Sequence, residues 1–194
     1  ILIRNFDELP TMKSSVVVCT YSMERYGPFS ECVESVLDQE YDSLEVVLVV
    51  DGNEDVYERV QADFGRESDV IVHNNDENQG ISFSRTKGAE LASGEVVAFI
   101  DDDATAEPDW VQQLVDVYEE TDAIAVGGDV QPDWQTAKPD FFPEEFYWLV
   151  GCVEPGFAED GEEVRNTYGS NISYRREKFL NVGGYDPNTG RKGD

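Results

Sequence analysis

The chain has 194 residues, 40% of them hydrophobic, and carries 42 Asp and Glu against 14 Lys and Arg, a formal net charge of −28. That length and apolar share exclude a disordered acid and allow one domain with its own core. The charge excludes nucleic acid as a partner, because phosphates need cationic counterparts, and is of the halophilic kind that keeps a protein hydrated and screened at high salt.

The chain opens on Ile1, and Met12 stands just ahead of the first strong strand signal. Residues 1–13 are therefore expected to be an extension, and 14–194 the domain. Ser14 to Cys19 reads as a buried strand ending at Thr20-Tyr21. Gly27-Pro28 opens a helix, with Pro at a tolerated first-turn position. Its stripe of Phe29, Cys32, Val33, Val36 and Leu37 has core-facing helical spacing. A second strand, Glu45 to Val50, ends at Asp51-Gly52-Asn53. A helix over about 55–64 follows, carrying Val56, Tyr57, Val60 and Phe64 and stopped at Gly65. Val70 to Val72 is a short third strand ending at Asn74-Asn75. Ile81 to Ala92 is a helix rich in small residues, suited to lie close on a sheet.

The fourth strand, Val96 to Ile100, is five apolar residues running into Asp101-Asp102-Asp103. An unbroken apolar run of this length suits a strand covered on both faces. Three adjacent carboxylates repel one another, so they stay together only when solvated or gathered round a cation. Hard divalent ions such as Mg2+ or Mn2+ take oxygen ligands of this type, often with substrate phosphates. An ordinary acidic loop in an acidic chain is the plainer alternative. Strand and helix alternate four times, which predicts an α/β fold with a mostly parallel sheet and helices on both faces. Ligands bind outside the carboxyl ends of such strands, here Thr20, Asp51, Asn74 and Asp101.

Pro108 opens a further helix with Trp110, Val111, Leu114, Val115 and Tyr118 inward, and Ile124 to Val126 is a fifth strand. Gly127-Gly128 then allows close backbone approach. From Asp133 to Glu163 periodicity dissolves into an aromatic-rich excursion with a short helix near 143–149. Residues 165–194 hold Arg165, Arg175, Arg176, Lys178, Arg191 and Lys192 against Glu177, Asp186 and Asp194, a local +3. This basic stretch is read as facing an anionic acceptor, a diphosphate or a lipid surface. Cys19, Cys32 and Cys152 are odd in number and unpaired in spacing, so buried reduced thiols of a cytoplasmic protein are expected. The lone His73 excludes His-rich metal sites. The sequence contains neither an apolar run of membrane-span length nor a signal peptide. Gly190 to Asp194 has loop composition, so the native chain is expected to continue.

Taken in order, Val16–Tyr21, Val47–Asp55, Asn78-Gln79-Gly80 with Ser84-Arg85, Gly94–Asp103, Gly169-Ser170-Asn171 and Gly183-Gly184-Tyr185-Asp186 resemble the nucleotide-sugar glycosyltransferases of family 2. The resemblance covers about residues 14–194. The acidic composition and the basic ending are similar to haloarchaeal members that build N-linked glycans on dolichyl phosphate. The resemblance implies a GT-A fold and an inverting transfer from a nucleoside-diphosphate sugar, UDP-linked, to a lipid-phosphate or glycan acceptor. It implies that Thr20 and Tyr21 line the base and ribose pocket, that Asp51 accepts from the uracil N–H, and that Arg85 sits over base or diphosphate. Asp101 to Asp103 become the D-x-D motif, with Asp101 and Asp102 near the ribose and Asp101 and Asp103 on Mg2+ or Mn2+. Asn78 and Gly80 shape the loop beside the nucleotide, and Gly169, Ser170 and Asn171 face sugar or acceptor. Asn53 and Thr86 depart from the family's usual Ser and Asn. The general base, a carboxylate in a Glu-Asp pair, is expected beyond Asp194. Membrane segments, and with them a place at the cytoplasmic face of the membrane, are expected there too. A non-catalytic sugar-nucleotide-binding domain is the alternative. A nucleotidyltransferase ranks last, because the first loop offers only Arg25 and Gly27.

Overall fold

The computed structural model describes residues 11–189. Seven residues from Ser14 to Thr20 form β1, and every one of them is buried. The α1 helix, Tyr26–Leu37, buries Phe29, Cys32, Val33 and Val36. Leu37, expected on the same stripe, is 36% exposed because it sits in the last turn. Then come β2 (Leu44–Val50), α2 (Glu54–Phe64), β3 (Val70–Asn74), α3 (Ile81–Leu91) and β4 (Val96–Ile100). After α4 (Trp110–Glu120) and β5 (Ala125–Gly127), a 3-10 helix spans Glu144–Val150, and β6 (Asn171–Arg175) leads directly into α5 (Arg176–Asn181).

The six strands form one sheet in the order β3-β2-β1-β4-β6-β5. The first four are parallel, and β6 runs antiparallel between β4 and β5. Strands β2 and β4 flank β1, so the chain reverses its direction of travel across the sheet at β1. That reversal opens the crevice where open α/β sheets bind ligands, beside the ends of β1 and β4. Helices α1, α2 and α4 cover one face through Phe29, Val33, Val56, Val60, Trp110 and Leu114. On the other face α3 and α5 contribute Ala89 and Phe179. The small residues of α3 let it approach closely: a Cβ on Gly88 would lie 2.3 Å from Val17 Cγ1.

The β6 strand and the α5 helix that follows it went unread in the sequence. The β6 strand alternates Asn171, Ser173 and Arg175 with Ile172 and Tyr174, and lacks an apolar run. Asn171 and Ser173 are nonetheless buried and bonded. Trp110 Nε1 donates to Asn171 Oδ1 at 2.9 Å, and Tyr118 Oη lies 3.0 Å from Ser173 Oγ. The basic stretch is also corrected. Arg175 pairs in register with Val96, at the opposite end of β4 from the aspartates. Its guanidinium donates to the carbonyls of Tyr118, Thr121 and Ala123, capping the C-terminal end of α4. Arg176 does the same for Ala89 and Glu90 at the end of α3. These two arginines are structural caps rather than an acceptor surface. Arg191, Lys192 and Asp194 lie outside the described residues, as do residues 1–10 of the expected extension. Met12 packs against the core and Lys13 Nζ donates to Glu45 at 3.0 Å, so the domain takes in both.

Cys19, Cys32 and Cys152 are free and buried. Among the described residues no helix is long and apolar enough to cross a membrane. The excursion is pinned by Trp134, Phe142 and Tyr147, with ring centroids 5.8–6.4 Å apart, and leaves Phe141, Phe146, Trp148, Leu149 and Val150 exposed.

Candidate functional site

Thr20 closes β1, and its carbonyl accepts from Asp51 N at 2.8 Å, so the first two strand ends are joined by a main-chain bond. Thr20 is 2% exposed, and its Oγ1 has no hydrogen-bond partner among the described residues. A buried hydroxyl left unmatched costs about 1–3 kcal/mol, so such an atom marks a place for a polar ligand or solvent.

Asp51 is the hub of the neighbouring loop. Its Oδ1 accepts from Asn75 Nδ2 at 2.7 Å and from Gln79 N at 2.9 Å, and its Oδ2 accepts from Gly80 N at 2.8 Å. One buried carboxylate thus gathers the ends of β2 and β3 and the residue that caps the start of α3. Oδ2 keeps a lone pair for one further donor. Asn75, which also donates to Ser84 Oγ at 2.9 Å, belongs to this cluster. The sequence marked it only as a strand end. Gly52 is required here, with φ +72° and a backbone so close to Glu77 that a Cβ would lie 2.2 Å from its carbonyl carbon. Asn78 is exposed and Gly80 buried at the head of α3. Asn53 caps α2 by accepting from Val56 N at 3.2 Å and donates to the Tyr21 carbonyl at 3.0 Å. The residue that departs from the family's Ser therefore fixes the backbone at Tyr21, whose ring is 36% exposed.

The aspartates divide three ways where β4 leaves the sheet. Asp101 Oδ1 accepts from Arg85 Nη2 at 2.5 Å. Burial pushes the Asp101 carboxyl above the usual carboxylate range. Arg85 pulls it back, and Asp103 and Asp102 push it up further. Asp102, 7% exposed, is gripped by Arg25, whose Nε lies 3.0 Å from Oδ2 and 3.2 Å from Oδ1 while Nη2 also reaches Oδ1. Asp103 is open, 59% exposed at its side chain, and accepts from the same Nη2 at 3.1 Å. The hydrogen bonds to Asp102, foremost, hold Arg25 still more firmly protonated than an ordinary arginine. Arg25 did not stand out in the sequence. Its partners are 77 and 78 residues away and no local pattern links them.

Arg85 ties this corner to the end of the chain. Its Nη2 also donates to the Gly169 carbonyl at 2.9 Å, and its guanidinium lies 5.8 Å from the Phe99 ring and 5.9 Å from Tyr185. Tyr185 N in turn donates to Thr86 Oγ1 at 3.0 Å, so Thr86 anchors the Gly-Gly-Tyr-Asp segment. Ser170 is half-buried, and Asn171 is buried with its amide spent on Trp110 and the Asp129 carbonyl. Thus Thr20, Asp51, Gly80, Arg85 and the aspartates converge at one edge of the sheet. Asn171 borders that edge with its side chain turned to the core.

Among the described residues no three His, Cys, Asp or Glu side chains form a ready metal cluster. The donor set still fits a hard divalent ion. Asp101 and Asp103 each keep one carboxylate oxygen with no protein hydrogen bond among the described residues, and Mg2+ and Mn2+ complete their shells with water and substrate phosphates.

Comparison with known proteins points the same way. Residues 15–183 match the model of Glycosyl transferase family 2. The chain is 72% identical over 184 residues to the glucosyl-dolichyl phosphate glucuronosyltransferase of Haloferax volcanii, covering 94% of this chain and 59% of that protein. It is 34% identical over 116 residues to the glycosyltransferase GlyA of Streptococcus pneumoniae, covering 59% of this chain and 16% of GlyA. Among solved structures, the Pyrobaculum calidifontis mannosyltransferase PcManGT in complex with GDP-Man and Mn2+ superposes with a TM-score of 0.69 at 21% identity, over 91% of this chain and 48% of that one. Staphylococcus aureus TarS 1–349 with UDP-GlcNAc gives 0.68 at 19%, over 90% and 48%. These likenesses establish the GT-A arrangement. The chain spans about half to three-fifths of the length of these relatives, GlyA excepted.

Proposed function

The chain belongs to glycosyl transferase family 2, and we propose that it is the donor-binding part of an enzyme that moves a sugar, with inversion, from a UDP-linked donor to a dolichyl-phosphate-linked acceptor. By analogy with the Haloferax relative, the sugar is glucuronate and the acceptor glucosyl-dolichyl phosphate. The observation that carries this reading is the gathering, at the β1/β4 crevice, of the buried Thr20 hydroxyl, unpartnered among the described residues, the Asp51 hub and the Asp101–Asp103 turn.

In this reading the remaining lone pair of Asp51 accepts from the uracil N–H, Thr20 satisfies its hydroxyl on the base, and Tyr21 borders base and ribose. Asn78 and Gly80 shape the wall beside the nucleotide. Asp101 and Asp102 lie toward the ribose, and Asp101 and Asp103 hold Mg2+ or Mn2+. When bound, that ion would neutralise charge on the departing nucleoside diphosphate. Arg85 adds a fixed positive charge at the same place, held by its aromatic neighbours so that little reorganisation is needed. Gly169 and Ser170 border the sugar, with Asn171 ordering the segment. The acceptor oxygen attacks the anomeric carbon, the bond to the diphosphate breaks with its electron pair, and the acceptor proton passes to a carboxylate base. Binding is tested by calorimetry with UDP-, GDP- and dTDP-sugars in the presence of Mn2+. Preference for the UDP series is expected. Equal binding of all three would remove Asp51 as the reader of uracil.

A further inference from the structure

One side chain at the site is left over from this account. Arg25 sits where a short 3-10 turn, Met23–Arg25, meets α1. That turn is capped by Ser22, whose Oγ accepts from Glu24 N at 3.1 Å, and Arg25 N closes it onto the Ser22 carbonyl at 3.1 Å. These bonds order the backbone at Arg25, and Asp102 holds its guanidinium. Nε and Nη2 grip Asp102, and Nη2 spans across to Asp103 Oδ2 at 3.1 Å. Nη1 makes no hydrogen bond among the described residues. A planar fork with five donors can hold one carboxylate with one edge and hand over a second partner without letting go of the first.

The two contacts differ in kind. Asp102 is nearly buried, and its pair with Arg25 is the structural one. Asp103 is open to solvent, so its contact is screened and exchangeable. Asp103 is also the carboxylate assigned to the divalent ion in the proposed reading. A cation arriving at Asp103 meets the resident charge of Arg25, and the two compete for it.

We propose that Arg25 is an exchangeable counter-cation of the aspartate turn. It stays on Asp102, yields Asp103 to the divalent ion, and turns its freed N–H groups to the diphosphate that arrives with that ion. Arg25 thereby couples metal and donor binding. Without nucleotide it opposes the ion, and with the diphosphate present it supports the complex. This rests on the donor-site reading above and adds to it a residue and a coupling.

The test is calorimetric titration of the chain with Mn2+ alone, and separately with UDP at saturating Mn2+, for the parent, Arg25→Gln and Arg25→Lys. Removing a unit charge a few ångströms from the ion should tighten Mn2+ binding without nucleotide by about tenfold at an effective dielectric between those of protein surface and water. The same substitution should weaken UDP binding at saturating Mn2+ by about threefold to tenfold, the loss of a charge-assisted bond. Arg25→Lys keeps a charge for Asp102 but cannot span both carboxylates, so it should shift both constants in the same directions by less, and it safeguards against misfolding of the Gln variant. Opposite signs for Mn2+ and UDP are the signature, because a residue that only holds the loop would weaken both. Mn2+ binding unchanged or weakened in a folded Arg25 variant, with the parent binding Mn2+ and UDP normally, overturns the exchange role alone. A parent that binds neither overturns this proposal together with the donor-site reading.

Discussion

At the scale of single residues, Asp51 and Asp103 make opposite predictions about stability. Asp51 is buried and accepts three hydrogen bonds that hold the 75–80 loop. Asp51→Ala should therefore lower stability by about 1–3 kcal/mol and weaken UDP binding as well, because the Asn75, Gln79 and Gly80 donors lose their acceptor. Thermal melting alongside a UDP titration checks both, and an unchanged melting temperature would contradict the hub role. Asp103 is open, and among the described residues its one ion pair is with an arginine that also holds Asp102. Asp103→Ala should leave the melting temperature within experimental error and remove the Mn2+ dependence of nucleotide binding. The Asp-Asp-Asp run was visible in the sequence, but the split among its members was not. Which carboxylate is buried depends on Arg25, and that partner comes from a loop with no periodic signature.

At the scale of elements, the apolar strands and the striped helices were legible because burial on both faces leaves an unbroken run and burial on one face leaves a 3.6-residue stripe. The β6 strand was not, because Asn171 and Ser173 serve the core through hydrogen bonds rather than hydrophobicity. Gly88 tests how tightly α3 lies on the sheet. Gly88→Ala would press a methyl group into Val17, and overpacking of this kind costs about 1–3 kcal/mol, against a gain in helix propensity of about 1 kcal/mol. Net destabilisation in chemical denaturation is expected, and a stabilised variant would show that the sheet yields. At the far end of the sheet, Glu45 joins β1, β2 and the turn before β4. Burial pushes its carboxyl up, but bonds from Ser93 N and Oγ, Ser15 Oγ and Lys13 Nζ outweigh this and hold it at about 2, below the ordinary 4.5. A carboxyl depressed on folding stabilises fully above its unfolded value and loses that contribution as pH falls through the folded one. Glu45→Gln should therefore flatten the loss of stability between about pH 4.5 and 2, the interval set by those two values. Acid unfolding curves of the two proteins report it, and parallel curves would remove Glu45 as a source.

At the scale of the whole molecule, the charge of −28 sets the conditions under which everything else is measured. Self-repulsion among 42 acids should destabilise the fold in dilute buffer, and molar KCl should restore it. A melting temperature that rises steeply with KCl is expected, in keeping with the Haloferax relative, and a flat one would contradict the halophilic reading. Within this acidic envelope, the described arginines at the β1/β4 crevice are Arg25 and Arg85, each already joined to the aspartate turn. The central claim is that this crevice takes a nucleoside diphosphate together with a divalent ion. It is tested most directly by titrating UDP-glucuronate into the parent and into Asp103→Ala, each with and without Mn2+, in molar KCl. The expectation is that binding by the parent strengthens at least about tenfold with Mn2+, about 1.4 kcal/mol, and gains nothing in the variant. Equal affinity in all four titrations, or no binding by the folded parent, would contradict it.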